Sequence, residues 1–132
     1  LPANSESFIR TVGEDDCADA ERIIEEMLAR GVAFDGLLLG TDGCAYSVVS
    51  TLRKHSIQVP DDVSVVMWDD FPWVSKALRL PLSVVRQPFR EQIVSAIEIL
   101  MSQRGAAKLS NIQRIIQPSL IIRCSCRTPN NN

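Results

Sequence analysis

A chain of 132 residues is long enough for one packed domain or a large part of one, and 45% hydrophobic residues with moderate charge argue against disorder. A formal net charge of −2 gives no electrostatic basis for gripping a phosphate backbone, and no segment looks like a DNA-reading helix flanked by basic residues. No apolar run approaches the roughly 20 residues that a membrane-spanning helix needs, so no membrane partner is expected.

The chain opens on Leu1-Pro2-Ala3, without an initiator Met or the basic and apolar regions of a signal peptide, and is expected to be a fragment with sequence missing upstream. Phe8 to Val12 reads as a strand, followed by the polar turn Gly13 to Asp16. Ala20, Ile23, Ile24, Met27 and Leu28 then fall on one helical stripe, with Asp15 or Asp16 as cap and Gly31 as a left-handed stop. Gly36 to Gly40 is a continuous apolar run of the kind a strand buried on both faces requires. Asp42 offers a cap to a helix carrying Ala45, Val48, Val49 and Leu52. Pro60-Asp61-Asp62 turns into Val63 to Trp68, a β-branched strand, and an irregular stretch with Pro72 and Pro81 follows Asp69-Asp70. Ser83-Val84-Val85 is a short strand leading to Pro88, which suits the first turn of a helix bearing Ile93, Ala96, Ile97, Leu100 and Met101 and stopped by Gly105. After a polar loop from Ala106 to Asn111, Arg114 to Ile116 and Leu120 to Ile122 read as short closing strands, and Pro129 to Asn132 as a disordered tail.

Alternation of strands and helices, with connections long enough for crossovers, predicts an α/β fold: a parallel sheet flanked by helices. Ligands of such sheets bind beyond the carboxyl ends of the strands. Acids stand after each of the first three strands: Asp15 and Asp16, then Asp42, then Asp69 and Asp70. The first three of these are ordinary helix caps. Asp69 has no clear helix after it, and beside Trp68 it suits hydrogen bonds to ligand hydroxyls or ring N–H groups, with the indole as an apolar platform. From residue types alone, a local turn cap and a core Trp explain the pair equally well.

Catalysis finds less support. His55 lies near a helix end next to Lys54, away from the strand ends, and reads as a surface residue. No nucleophile elbow, phosphate loop or dinucleotide fingerprint is present. The aspartates could hold Mg²⁺ for phosphoryl transfer, but no lysine stands at a later strand end; Lys76 and Lys108 fall elsewhere. Cys17, Cys44, Cys124 and Cys126 match no zinc spacing and read as reduced cytosolic thiols. Neither a metal nor a cofactor is expected.

The run Val59-Pro60-Asp61-Asp62-Val63-Ser64-Val65-Val66-Met67-Trp68-Asp69-Asp70 resembles the V-P-x-D-[VI]-S-V-V-G-[FY]-D-D stretch of lactose/galactose-type bacterial repressors. Pro81 to Pro88 is similar to the proline-led segment that follows it in that family, Asp35 to Ala45 to an upstream strand-and-helix start, and Leu120 to Ser125 to the closing L-[VI]-x-R-x-S strand. The four pieces cover most of residues 35 to 128, in the right order.

The resemblance implies a periplasmic-binding-protein-like architecture of two subdomains with an effector in the cleft. Residues 1–85 then belong to the C-terminal effector subdomain, 86–112 to a crossover helix and loop of the other subdomain, and 113–128 to closing strands, with 129–132 a disordered tail. It implies Asp69, Trp68, Thr41 and Asp15 as effector contacts, and Ala45, Val48, Val49, Leu52, Trp73 and Leu78 as a homodimer interface. Thr41 stands where an asparagine is usual and Met67 where a glycine is, so the effector chemistry is expected to differ from that of sugar-binding members. The implied function is sensing of a sugar or nucleobase-like small molecule in a cytoplasmic, non-enzymatic repressor, with DNA reached only through a headpiece outside this chain. A periplasmic-type sugar-binding protein is the nearest alternative and a Mg²⁺-dependent phosphoryl-transfer domain a more distant one.

Overall fold

The computed structural model describes residues 10–11, 13, 15–104 and 111–128. Its first helix, α1 (Asp16–Ala29), starts where the Asp15 carboxylate accepts the Ala18 N–H at 3.0 Å, and Asp16 and Asp19 add negative charge to the positive end of the helix dipole. Gly31 follows its end at φ 64°, a conformation that costs glycine little. The next helix, α2 (Asp42–Lys54), is capped by Thr41 rather than Asp42: the Thr41 hydroxyl accepts the Cys44 N–H at 3.1 Å. Ala20, Ile24 and Met27 of α1 join Cys44, Ala45, Val48, Val49 and Leu52 of α2 in the core. An ion pair between Glu21 and Lys54 and a polar contact between Glu25 and the His55 ring tie the exposed edges of the two helices together.

The sheet runs in the order β1 (Gly36–Leu39), β2 (Ser64–Trp68), β3 (Ser83–Arg86), β4 (Ser119–Ile121). The first three strands are parallel, with Leu39 beside Met67 and Met67 beside Val84; β4 is antiparallel, with Ile121 beside Val84. The sheet is the expected parallel one over its first three strands, with the closing strand making it mixed. Burial also departs from expectation at β1. Leu39 is buried, but Leu38 is 64% exposed, because β1 is the edge strand and its second face carries no covering layer among the described residues. Val65, Met67 and Val84, on the interior strands, are fully buried. α2 lies on β1 and β2, and α1 and the short α3 (Pro72–Leu78) pack against it.

The stretch after Asp70, expected to be irregular, contains α3. Pro72 occupies the first turn, where its missing N–H costs nothing, and Val74 and Leu78 are buried one turn apart. The last helix, α4 (Phe89–Ser102), begins just after Pro88 as expected. Arg114 to Ile116 joins no strand or ladder among the described residues, which corrects the expected strand there. Phe8, Ile9 and Val12 of the expected first strand, the Gly105 stop, the loop at 106–110 and the tail at 129–132 lie outside the described residues, and Arg10 and Thr11 are not in a strand.

β3 starts beside Val66, which leaves the first residues of β2 without a partner on that side. The segment after β4 fills the gap. The Val65 N–H donates to the Ser125 carbonyl at 2.7 Å, the Ser125 hydroxyl donates to the Val65 carbonyl at 2.5 Å, and the Ser83 N–H donates to the Ser125 hydroxyl oxygen at 2.7 Å. Ser125 is fully buried, and these bonds satisfy it.

Candidate functional site

Parallel pairing of β1 with β2 brings Thr41 and Asp42, just past β1, to the same end of the sheet as Trp68, Asp69 and Asp70 at the end of β2. Trp68 closes the strand with its side chain 38% exposed. Asp69 follows at φ 68°, a left-handed conformation that Asp tolerates better than most side chains. Its backbone N–H donates to the Val85 carbonyl at 3.0 Å, which pins the turn to β3. The carboxylate is half-satisfied: Oδ2 receives Gln87 Nε2 at 3.4 Å, while Oδ1 is buried with no partner among the described residues. An unmatched buried acceptor costs on the order of 1–3 kcal/mol, more when charged. An O–H or N–H donor arriving beside Trp68 would remove that cost.

Asp70, the next residue, is fully engaged. Arg123 holds it in a fork, Nη1 to Oδ1 at 2.9 Å and Nη2 to Oδ2 at 2.7 Å, and Arg123 Nη1 also donates to the Leu82 carbonyl at 2.8 Å. Arg86 donates to Oδ2 through Nε at 3.1 Å and through Nη2. The Arg123 fork, followed by Arg86, outweighs burial and holds the Asp70 carboxyl down at about 2.

The remaining acids of the expected cluster are committed to structure. Asp15 caps α1. Asp16 Oδ2 accepts the Thr41 hydroxyl at 2.6 Å, so that hydroxyl is used by both α1 and the α2 cap. Asp42 Oδ2 accepts the Trp73 indole N–H at 3.0 Å. The structure thus places Trp68 and Asp69 together, and Thr41 beside Asp16 at the head of α1. No hydrogen bond among the described residues joins the two groups. Asp15, Asp16 and Cys17 present ligand atoms within 4.8 Å of one another, but Asp15 is spent on the cap and Asp16 on Thr41. All four cysteines are free.

The expected interface residues separate by burial. Ala45, Val49 and Leu52 are fully buried, and Val48 and Leu78 are within 3% of it. They are spent on the chain's own core and offer no surface to a second copy. Trp73 is 48% exposed and stands 6.2 Å from the ring of Tyr46, so the outer face of α2 and α3 is carried by these two aromatics. Tyr46, Arg86, Gln87 and Arg123 are the residues that sequence reasoning missed. Arg123 left a signal: an arginine inside an apolar closing strand calls for a buried acid, and the Asp69-Asp70 doublet supplies one.

An apolar groove of about 630 Å³ runs along α1 and β1, lined by Ile23, Met27, Leu38 and Phe34 and bordered by Arg10 and Thr11. It lies beside the sheet edge and not over Trp68 and Asp69. His55 sits at the far end of α2 from Asp42, with Nε2 2.8 Å from Glu25. No helix of the described residues is long and apolar enough to cross a membrane.

A family model described as a periplasmic binding protein-like domain matches residues 5–126. The HTH-type transcriptional regulator GalR of Escherichia coli (strain K12) is 30% identical over 119 residues, covering 90% of this chain and 34% of the regulator. A solved LacI family transcriptional regulator from Arthrobacter sp. FB24, in complex with lactose, aligns with a TM-score of 0.71 at 25% identity, over 86% of this chain and 43% of that one. A dimeric Lac repressor has the same fold, with a TM-score of 0.71 at 22% identity over 96% of this chain and 47% of that one. The chain spans about a third of the length of the curated relatives it matches. By fold and by matched region, it belongs to the periplasmic binding protein-like domain family, and its Val59 to Asp70 run is similar to that of lactose/galactose-type repressors.

Proposed function

We propose that this chain is the C-terminal part of the effector-sensing domain of a bacterial transcriptional repressor, and that a sugar or nucleobase-like ligand binds against Asp69 and Trp68. The observation that carries this reading is the buried, unpartnered Asp69 Oδ1 at the end of a parallel strand, next to a half-exposed indole. A polyhydroxyl ligand supplies the donor that the carboxylate lacks, and its ring face suits the Trp68 platform. The lactose complex of the Arthrobacter relative supports a sugar. Asp15 and Thr41 contribute from the α1 side by fixing the shape of the neighbouring turn, since their polar atoms are already engaged.

The parent protein binds its effector between this part and a preceding subdomain, pairs as a homodimer through the Tyr46 and Trp73 face, and reaches DNA through a headpiece outside this chain. Its place is the cytoplasm, where a DNA-directed regulator must work. No catalytic step is assigned: the strand-end acids other than Asp69 are taken up by helix caps, an indole and two arginines, which disfavours a Mg²⁺-dependent phosphoryl-transfer centre.

A titration of the labelled chain with lactose, cellobiose and adenine to millimolar concentration, read by amide and indole NMR shifts, tests the reading. One of these ligands is expected to move the Trp68 indole and the Asp69 amide, and Asp69→Ala to weaken that response at least tenfold. A folded Asp69→Ala chain that responds like the wild type would overturn the assignment.

A further inference from the structure

α4 packs on no other helix or strand among the described residues. Its companion is the segment that follows it: Arg114 Nη1 donates to Glu98 Oε2 at 2.6 Å, and Ser95 is buried on that side. Ile93, Ile97 and Leu100 remain more than half exposed. Packing therefore does not set the orientation of this unit relative to the sheet. Two passes of chain connect it to the body, one leaving through Arg86 to Pro88 and one returning through Ser119 to Arg123.

The β3–β4 ladder, with Arg86 beside Ser119, holds the two passes to each other. One carboxylate ties both to the tip of β2. Asp70 receives Arg86 from the outgoing pass and Arg123 from the return pass, and Arg123 is fixed in turn to the Leu82 carbonyl. The Asp70 side chain is 14% exposed and Arg123 27%, so solvent and salt screen their fork less than an ordinary surface pair, while Arg86 is 53% exposed and more screened. The geometry also makes the cluster asymmetric. Without the acid, the two guanidinium groups that now share Asp70 Oδ2 lose the anion between them, and the tie of both passes to β2 is gone.

We infer that Asp70 is the positioning residue of a two-pass neck: through Arg86 and Arg123 it locks the orientation of α4 to the Asp69 end of the sheet. The neighbouring links reinforce the same joint. Val85 accepts the Asp69 N–H, and Gln87 reaches the Asp69 carboxylate, so consecutive residues of the outgoing pass meet consecutive residues of the strand end. A change at Asp69 is thereby felt at the neck, which extends the reading of Asp69 as a ligand contact; the clamp itself does not depend on that reading.

Residual dipolar couplings of the 132-residue chain, measured with no small molecule added, test the inference independently of any effector. In the wild type, a single alignment tensor is expected to fit the amides of β2, β3 and α4. Asp70→Asn is expected to leave the β2 and β3 couplings in place and to reduce those of α4 at least twofold. Arg86→Gln and Arg123→Gln, each freeing one pass, should give smaller reductions, and Arg123→Lys, which keeps the charge but loses the fork, a smaller one than Arg123→Gln. A merely stabilising ion pair lowers the unfolding midpoint without changing these couplings. A folded Asp70→Asn chain with undiminished α4 couplings overturns the inference. If that variant does not fold, undiminished couplings in both arginine variants overturn it equally.

Discussion

At the scale of single residues, burial decides which polar groups matter. Asp70 sits low at about 2 because Arg123 and then Arg86 bind its charged form. A carboxyl whose folded value lies below its unfolded value of about 3.9 stabilises the fold fully above that pH, and the contribution is lost as pH falls from about 4 towards about 2. Denaturant midpoints measured between pH 2 and pH 6 should therefore fall across that window in the wild type. In Asp70→Asn they should start lower at neutral pH and fall less steeply. Ser125 is the second such residue. Replacing it with alanine orphans the buried Ser83 N–H and removes the bond to Val65, and should cost about 1–3 kcal/mol in urea unfolding. The role of Ser125 was not legible in the sequence, and that of Asp70 left only the signal of Arg123. Ser125 lay inside a family-like closing strand, but nothing in its neighbours says that its hydroxyl bridges two strands some forty and sixty positions away. Asp69 was expected as a site residue from its place after a β-branched run. Its left-handed backbone and its buried free oxygen depend on Val85 and Gln87, which only tertiary structure brings near.

Among the elements, those with a strong period were readable and those shaped by context were not. The stripes from Ala20 to Leu28 and from Ala45 to Leu52 identified α1 and α2; Ala20, Ile24 and Met27 are buried in the shared core with the α2 stripe, and Ile23 and Leu28 pack partly against it. Leu52→Ala, at a fully buried position, should cost about 2–5 kcal/mol by chemical denaturation. Thr41→Ala removes the α2 cap and leaves Asp16 without its hydroxyl partner, so a loss of about 1 kcal/mol is expected there. α3 escaped notice because seven residues led by a proline are too short for periodicity to register, even though Val74 and Leu78 carry the spacing. β1 misled in the other direction. Its apolar run is compatible with burial on both faces, yet no described element covers the face that Leu38 presents, and Leu38 is exposed. The polarity of β4 likewise follows from where the chain returns, which no local pattern encodes.

For the whole molecule, packing changes after β3: the core is closed by Val84, while α4 beyond it buries only Ser95. The stripe on α4 has no partner among the described residues. Exposed apolar surface of this kind associates, so sedimentation velocity should show a concentration-dependent dimer or larger species at micromolar protein. Leu100→Glu should shift the chain towards monomer without lowering its unfolding midpoint by more than about 0.5 kcal/mol equivalent, as expected of an exposed site. A dimer unaffected by that change would instead point to the Tyr46 and Trp73 face. The serine wedge has a further consequence for synthesis. Val65 and Ser125 are separated by 60 positions, so the central strands of the sheet leave the ribosome well before the residue that joins them. At about 5–20 residues per second, β2 spends on the order of 3–12 seconds as nascent chain without its wedge. During that interval its apolar face is a natural client for a chaperone.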